Sequence, residues 1–251
     1  MRALAEEDED RTMPTGAAAV VMDIDNGAVL ASASLPDYNL NLFAKGISNS
    51  DYQQLINDPL RPLINRTTMT AVPPGSIFKL VTGTAAMEKL GVRADTSFYD
   101  SNGLFYIPNW SRPFRNWNHV GEGKLDFVKA IARSNNIVFY ELGYELYKEY
   151  EGEKLAEYAR KYGLGSKTDI DLPSEKKGLV PDDQWKRKEI GQGWYPGDSV
   201  NLSIGQGSLL TTPVQIASLI SAVAAEGVAY KPQLVDKIVS PEGKVVKDID
   251  Q

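Results

Sequence analysis

The chain has 251 residues, 42% of them apolar and 24% charged, with a formal net charge of -6. That is enough apolar material for one large domain with its own core, and the negative balance argues against nucleic acid or an anionic membrane surface as a main partner. There is no cysteine, which excludes disulfides and thiolate metal sites without fixing the compartment, and no apolar run is long enough to span a bilayer.

Residues 1–11 are acidic (Glu6, Glu7, Asp8, Glu9, Asp10) and lack an apolar segment. They do not form a signal peptide, and residues 1–15 read as a frayed, flexible remnant. A hairpin follows, with strands over 17–23 and 28–34 around the turn signal Asp25-Asn26-Gly27. Residues 35–70 are polar, carry Pro36, Pro59 and Pro62, and read as an ordered excursion with one short helix near 52–56. A connection of that length usually serves function or is disordered.

It delivers the chain to Val72-Pro73-Pro74-Gly75-Ser76-Ile77-Phe78-Lys79-Leu80-Val81. The prolines and glycine force a turn. Ile77, Leu80, Val81 and Ala85 then recur at helical spacing up to Leu90, where Gly91 stops the run. Ser76 therefore starts a mostly buried helix and shares a face with Lys79. Two readings stand side by side. A serine at a helix start is commonly a cap. It is also a nucleophile wherever a neighbouring base takes its proton, and a lysine is such a base once burial disfavours its charge. The helix N-terminus adds N–H groups suited to an oxyanion.

Residues 94–123 read as an aromatic loop with Phe98, Tyr99, Phe105, Tyr106, Trp110, Phe114 and Trp117. Its rings line a groove or pin the loop to the core. Arg112 and Arg115 meet a carboxylate or are solvated. His119 is the sole histidine and reads as a surface or packing residue, not a metal ligand. It leaves no choice of histidines for a Ser-His-Asp triad. Helices are expected over 125–133 and 137–147, with Ser134-Asn135-Asn136 at the corner between them. That corner is either a cap and turn or a second hydroxyl and a carboxamide presented together.

An amphipathic helix over 153–162 ends at Gly163, and 168–172 reads as extended. Residues 178–197 are rich in glycine, proline and charge and include Trp185, Trp194 and Tyr195. Beyond Ser203-Ile204-Gly205-Gln206-Gly207, Thr212 and Gln215 make a capping box with Pro213 at the first helical position. The helix they open runs to about Glu226 and is apolar nearly all round, which predicts a core position. A peripheral hairpin over 234–239 and 244–246 closes the chain.

Ser76-Ile77-Phe78-Lys79 followed by Ser134-Asn135-Asn136 resembles the Ser-x-x-Lys and Ser-x-Asn pair of the penicillin-recognising serine transpeptidases. Met22-Asp23, Asn26-Gly27, Ala33-Ser34-Leu35-Pro36, Trp194-Tyr195-Pro196-Gly197-Asp198 and Gly205-Gln206-Gly207 with Thr212-Pro213 extend the resemblance over roughly 16–239, toward the class B penicillin-binding proteins and their cell-elongation branch. The resemblance implies an α+β, β-lactamase/transpeptidase-like fold over 16–251, made of an N-terminal β-hairpin and a large helical part. It implies a D,D-transpeptidase that cross-links peptidoglycan stem peptides through a serine acyl-enzyme. In that reading Ser76 is the nucleophile, Lys79 the base, and Ser134 the proton relay, while Asn136 holds the substrate amide and helps position Lys79. No cofactor or metal is implied. The implied partners are the D-Ala-D-Ala end of the stem peptide, β-lactam antibiotics, and the glycosyltransferase and elongation-complex proteins of a full-length parent, with no nucleic acid. The parent would be anchored in the bacterial cell membrane with its catalytic domain outside the cytoplasm, and the fragment itself soluble.

One departure matters. The third signature of the family, Lys-Thr-Gly, is absent. Lys167-Thr168-Asp169 has aspartate where glycine is needed and precedes Gly205, whereas the family places the third motif after it; Thr82-Gly83 lies inside the first helix. The expectation is a transpeptidase domain truncated at both ends, without its C-terminal sheet strands, membrane anchor or pedestal. Since losing one oxyanion donor costs about 10²–10³ in rate, the fragment is expected to be inactive or weakly active. Two alternatives remain: a serine β-lactamase or β-lactam sensor of the same fold, for which no added general base is seen, and a non-catalytic scaffold of the wall-synthesis complex. Turnover of a chromogenic cephalosporin marks the first, and a reading frame ending at Gln251 the second.

Overall fold

A computed structural model describes residues 15–249; the acidic start at 1–11 lies outside them. The described residues fall into two compact units, one formed by 15–71, 167–177 and 212–249, the other by 72–166 and 178–211.

In the first unit, strands β1 (Ala17–Met22) and β2 (Val29–Leu35) pair antiparallel from Ala17↔Leu35 to Met22↔Val29, with a bulge at Val21/Met22. The expected turn forms. The Asp23 carboxylate accepts from Asp25 N at 2.9 Å, and Asn26 Oδ1 from Ala28 N at 2.9 Å. Gly27 takes φ +79°, and a Cβ there would sit 2.6 Å from the Lys231 carbonyl oxygen, so only glycine fits.

The excursion over 35–70 holds three helices instead of one: α1 (Asn41–Ala44), α2 (Asn49–Asn57) and α3 (Arg66–Met69). The expected helix near 52–56 is α2, capped by Ser48 accepting from Asp51 N; α1 and α3 have four residues each, too few for an apolar period to show, and Asn65 caps α3 by accepting from Thr67 N. Residues 168–172 form no strand. The buried Glu175 carboxylate accepts instead from Thr168 N (2.7 Å), Thr168 Oγ1 (2.8 Å) and Asp169 N (3.1 Å).

The late helix, labelled α10 below (Pro213–Ala224), has its capping box, with Thr212 N donating to Gln215 Oε1 at 2.9 Å and Gln215 N to Thr212 Oγ1 at 3.3 Å. It packs against β1. Its burial is one-sided: Val214, Leu219 and Ala222 are buried, but Ile220 is 41% and Val223 40% exposed, which corrects the core position expected all round. Thr212→Ala is expected to lower stability by about 1 kcal/mol, read as a fall in the thermal midpoint of the first unit, because Thr212 is fully buried and its hydroxyl is the cap acceptor. The closing hairpin pairs β7 (Lys237–Val239) with β8 (Val245–Asp248).

In the second unit a 3-10 turn, Gly75–Phe78, leads into α4 (Lys79–Leu90). The helix therefore starts after Ser76, not at it. The aromatic segment is not a bare loop: β3 (Ser97–Asp100) pairs with β6 (Gly123–Asp126), and β4 (Leu104–Phe105) with β5 (Phe114–Arg115). Phe98, Phe105 and Phe114 pack on the core, whereas Tyr99, Trp110 and Trp117 stay exposed. Asp126 caps α5 (Phe127–Ala132) by accepting from Lys129 N, so that helix starts two residues later than its apolar spacing implied. Then come α6 (Asn136–Tyr150), α7 (Glu153–Lys161), α8 (Asp183–Ile190) and α9 (Pro196–Leu202); α8 lies inside the glycine-, proline- and charge-rich stretch over 178–197, and α9 starts at its end. The core gathers Ala86, Phe127, Val138, Phe139 and Leu142, with a second cluster around Ile107, Ile137, Tyr140 and Val200.

Candidate active site

The turn of residues 75–78 leaves Ser76 exposed and buries Phe78 beneath it. One turn on, Lys79 N–H donates to the Ser76 carbonyl, which locks the spacing of the two residues. Among the described residues the Ser76 hydroxyl makes no hydrogen bond, to Lys79 or to any other group. Gly75 N donates to Gly205 O at 3.0 Å, and Thr82 Oγ1 to Ser203 O at 2.8 Å, so the 203–205 loop braces the turn and the first part of α4.

Lys79 points inward and is 3% exposed. Its three donors meet three acceptors: Ser134 O at 2.8 Å, Ser134 Oγ at 3.1 Å and Asn136 Oδ1 at 2.7 Å. The amine also lies 5.3 Å from the centre of the Phe139 ring. No carboxylate forms an ion pair with it among the described residues. Burial alone lowers its pKa from 10.5 to about 8, since nothing charged compensates the lost hydration. About a tenth of the amines are then neutral at pH 7, a usable population for a general base.

The corner that receives the amine joins α5 to α6. Ser134 takes φ +51°, Asn135 caps α6 by accepting from Val138 N at 3.0 Å, and Asn136 begins that helix. Both readings of the corner hold at once: Asn135 is the cap, while Ser134 and Asn136 turn to the lysine. The Tyr140 hydroxyl, whose pKa burial raises, donates to Arg115 O at 3.4 Å, close to Asn136.

The sequence-selected residues divide accordingly. Lys79, Ser134 and Asn136 converge, with Ser76 one turn from the amine. Arg112 and Arg115 stay exposed and form no ion pair among the described residues. His119 is exposed with φ +58°, and no cluster of three or more His, Cys, Asp or Glu that could hold a metal occurs among the described residues. Gly205 and the buried polar residues behind the corner were not singled out for the site. The Gly-x-Gly pattern was the only sign of the former.

The penicillin-binding protein transpeptidase domain family matches residues 17–251. The chain is 35% identical over 219 residues to the peptidoglycan D,D-transpeptidase MrdA of Escherichia coli, covering 87% of this chain and 34% of that protein, so it spans about a third of the length of such relatives. Among solved structures, penicillin-binding protein 2 of Helicobacter pylori aligns with a TM-score of 0.81 at 35% identity over 93% of this chain and 42% of that one. Its complex with MreC aligns at 0.79, with 38% identity over 86% and 39%. Pseudomonas aeruginosa penicillin-binding protein 2 bound to WCK 5153 gives 0.81, with 34% identity over 93% and 52%. No helix among the described residues is long and apolar enough to cross a membrane.

Proposed function

The chain belongs to the penicillin-binding protein transpeptidase family and has its α+β fold; on that premise we propose that the full-length protein is a peptidoglycan D,D-transpeptidase of the penicillin-binding protein 2 type. The Ser76 hydroxyl attacks the penultimate D-alanine carbonyl of a stem peptide. The neutral Lys79 amine takes the proton, which the Ser134 hydroxyl passes to the departing D-alanine nitrogen. The acyl group then moves from Ser76 to the amine of a second peptide, which loses a proton by the same route in reverse. Asn136 accepts from Lys79 through Oδ1 and offers its Nδ2 to the substrate amide carbonyl. β-Lactams acylate Ser76 because their strained amide imitates the D-Ala-D-Ala end.

The single observation that supports this most is the convergence of the buried Lys79 amine on Ser134 and Asn136, with no carboxylate paired to it among the described residues. A purely structural lysine so deeply buried would need a carboxylate partner. The protein would work from the outer face of the bacterial membrane, with a glycosyltransferase and other elongation proteins as neighbours, and residues 16–251 as part of its transpeptidase domain.

Labelling with a fluorescent penicillin tests the proposal. The full-length protein is expected to take up one label per chain, located on Ser76 by peptide mass, and Ser76→Ala to take up none. A wild-type protein that stays unlabelled, or a label that survives Ser76→Ala, would overturn it.

A further inference from the structure

Behind the Ser134–Asn136 corner lies a buried polar cluster with no direct part in the chemistry above. Asp100, at the end of β3, is 1% exposed, as is Asn116; Asn135 is fully buried. Asp100 Oδ1 accepts from Gly103 N at 2.7 Å, and its Oδ2 accepts from Asn135 Nδ2 at 2.8 Å and Asn116 Nδ2 at 3.3 Å. No cation pairs with this carboxylate among the described residues.

An ionised carboxylate only accepts, whereas a carboxamide has one accepting and one donating end. With both amide nitrogens turned to Asp100, both amide oxygens must face away. Asn135 Oδ1 meets Val138 N at 3.0 Å, and Asn116 Oδ1 meets Asn136 N at 3.0 Å. Those two N–H groups belong to the first turn of α6, where the helix has no acceptor of its own to give them. Glu122, whose side chain is 8% exposed, grips the other flank. Its Oε2 accepts from Asn135 Nδ2 at 3.2 Å, and its Oε1 from Arg133 Nη2 and Asn118 Nδ2, both at 2.9 Å. Ser134, strained at φ +51°, is thus held through the residue on each side of it.

We propose that Asp100, backed by Glu122, is a positioning residue for the transpeptidase site: it sets the polarity of the Asn116 and Asn135 carboxamides and so fixes the corner whose three acceptors hold the Lys79 amine. The inference rests on the catalytic reading given above. Asp100 touches neither substrate nor Lys79 and acts only through the corner. When the corner loosens, water reaches the amine and its desolvation weakens. The groups facing that amine are Ser134 and Asn136 from the corner and Phe139 from α6. Beside that set stands the titratable Tyr140, which interacts with Asn136 and whose hydroxyl donates to Arg115 O.

The test is Asp100→Asn in the full-length protein. The shape is kept, but one end of the side chain becomes a donor and must oppose either Gly103 N or the two amide nitrogens. Acylation by a fluorescent penicillin at neutral pH is expected to slow by about tenfold or more, with the inflection of its pH profile moved upward. Titration of ¹⁵N-labelled Lys79 by NMR is expected to show the same upward move toward 10.5 from the lowered wild-type value. A folded Asp100→Asn protein with unchanged rate and unchanged Lys79 titration overturns the proposal. So does a rate loss with no move of the titration, which would mark a structural role alone. If Asp100→Asn does not fold, Glu122→Gln carries the same test with the same two readouts, and no shift there overturns it. Failure of wild-type labelling at Ser76 would instead strike the catalytic reading, and the NMR titration separates the two.

Discussion

Lys79→Met is expected to slow acylation of Ser76 by about 10²–10⁴-fold, the usual worth of a positioned general base. Methionine fills similar space, so the packing against Phe139 survives and the loss reports on the amine. The wild-type rate is expected to climb as pH rises through about 8, where the amine loses its proton, and the variant is expected to show no such climb. Stability follows the same group with a definite sign. Burial holds the folded pKa below the unfolded 10.5, so between about 8 and 10.5 the unfolded chain binds a proton that the folded chain does not. Stability therefore rises with pH across that window, and below it the buried charge costs about 3 kcal/mol. Lys79→Met should remove that contribution, so the difference in stability between variant and wild type should change with pH across the window. Labelling rates and thermal midpoints check both statements; a loss of less than tenfold, or stability profiles of wild type and variant that run parallel, would remove Lys79 from the role given to it.

Gly205→Ala is expected to be the most damaging single-methyl change near the site. Gly205 takes φ +72°, and an added Cβ would lie 2.8 Å from both the Gly75 carbonyl carbon and Phe78 Cβ. Neither atom is the free tip of a side chain, so the turn carrying Ser76 must move. The left-handed backbone and the displaced turn together should lower stability by about 2–4 kcal/mol. A shift of about 1 Å at Ser76 should cost acylation about 10²-fold. Gly207 supplies the control. Its φ is +79°, but its nearest neighbour would be Asn201 Cβ at 3.8 Å. Gly207→Ala meets the backbone penalty without the collision and should acylate at close to the wild-type rate. Equal damage from both changes would show that backbone strain alone, not the brace on Gly75, decides the outcome.

The parts of this molecule that could be read from its residues are those with local causes. The Asp25-Asn26-Gly27 turn, the Thr212 capping box and the apolar spacing of Leu80, Val81 and Ala85 each carry their instruction within a few positions, and each formed as expected. The parts that escaped are long-range or brief. Strands of two to four residues such as β4 and β3 offer too little alternation to register. Helix α8 is charged along much of its length, and its clearest sign was Asp182 accepting from Trp185 N. At the site, Ser76, Lys79, Ser134 and Asn136 stood out because their spacing is a recognisable chemical pattern. Asp100, Asn116 and Glu122 did not, because their contribution exists only once the β3–β6 and β4–β5 pairings bring residues distant in the chain together behind the corner.

Every group that holds the Lys79 amine is neutral: a carbonyl, a hydroxyl and a carboxamide. Dissolved ions weaken attractions between exposed charges, as at the surface pair Arg187–Asp183, but here they find no charge pair to screen and little access to the amine. The poise of this base is therefore set by shape and dryness, and it stays nearly indifferent to the ionic strength of the fluid around the protein.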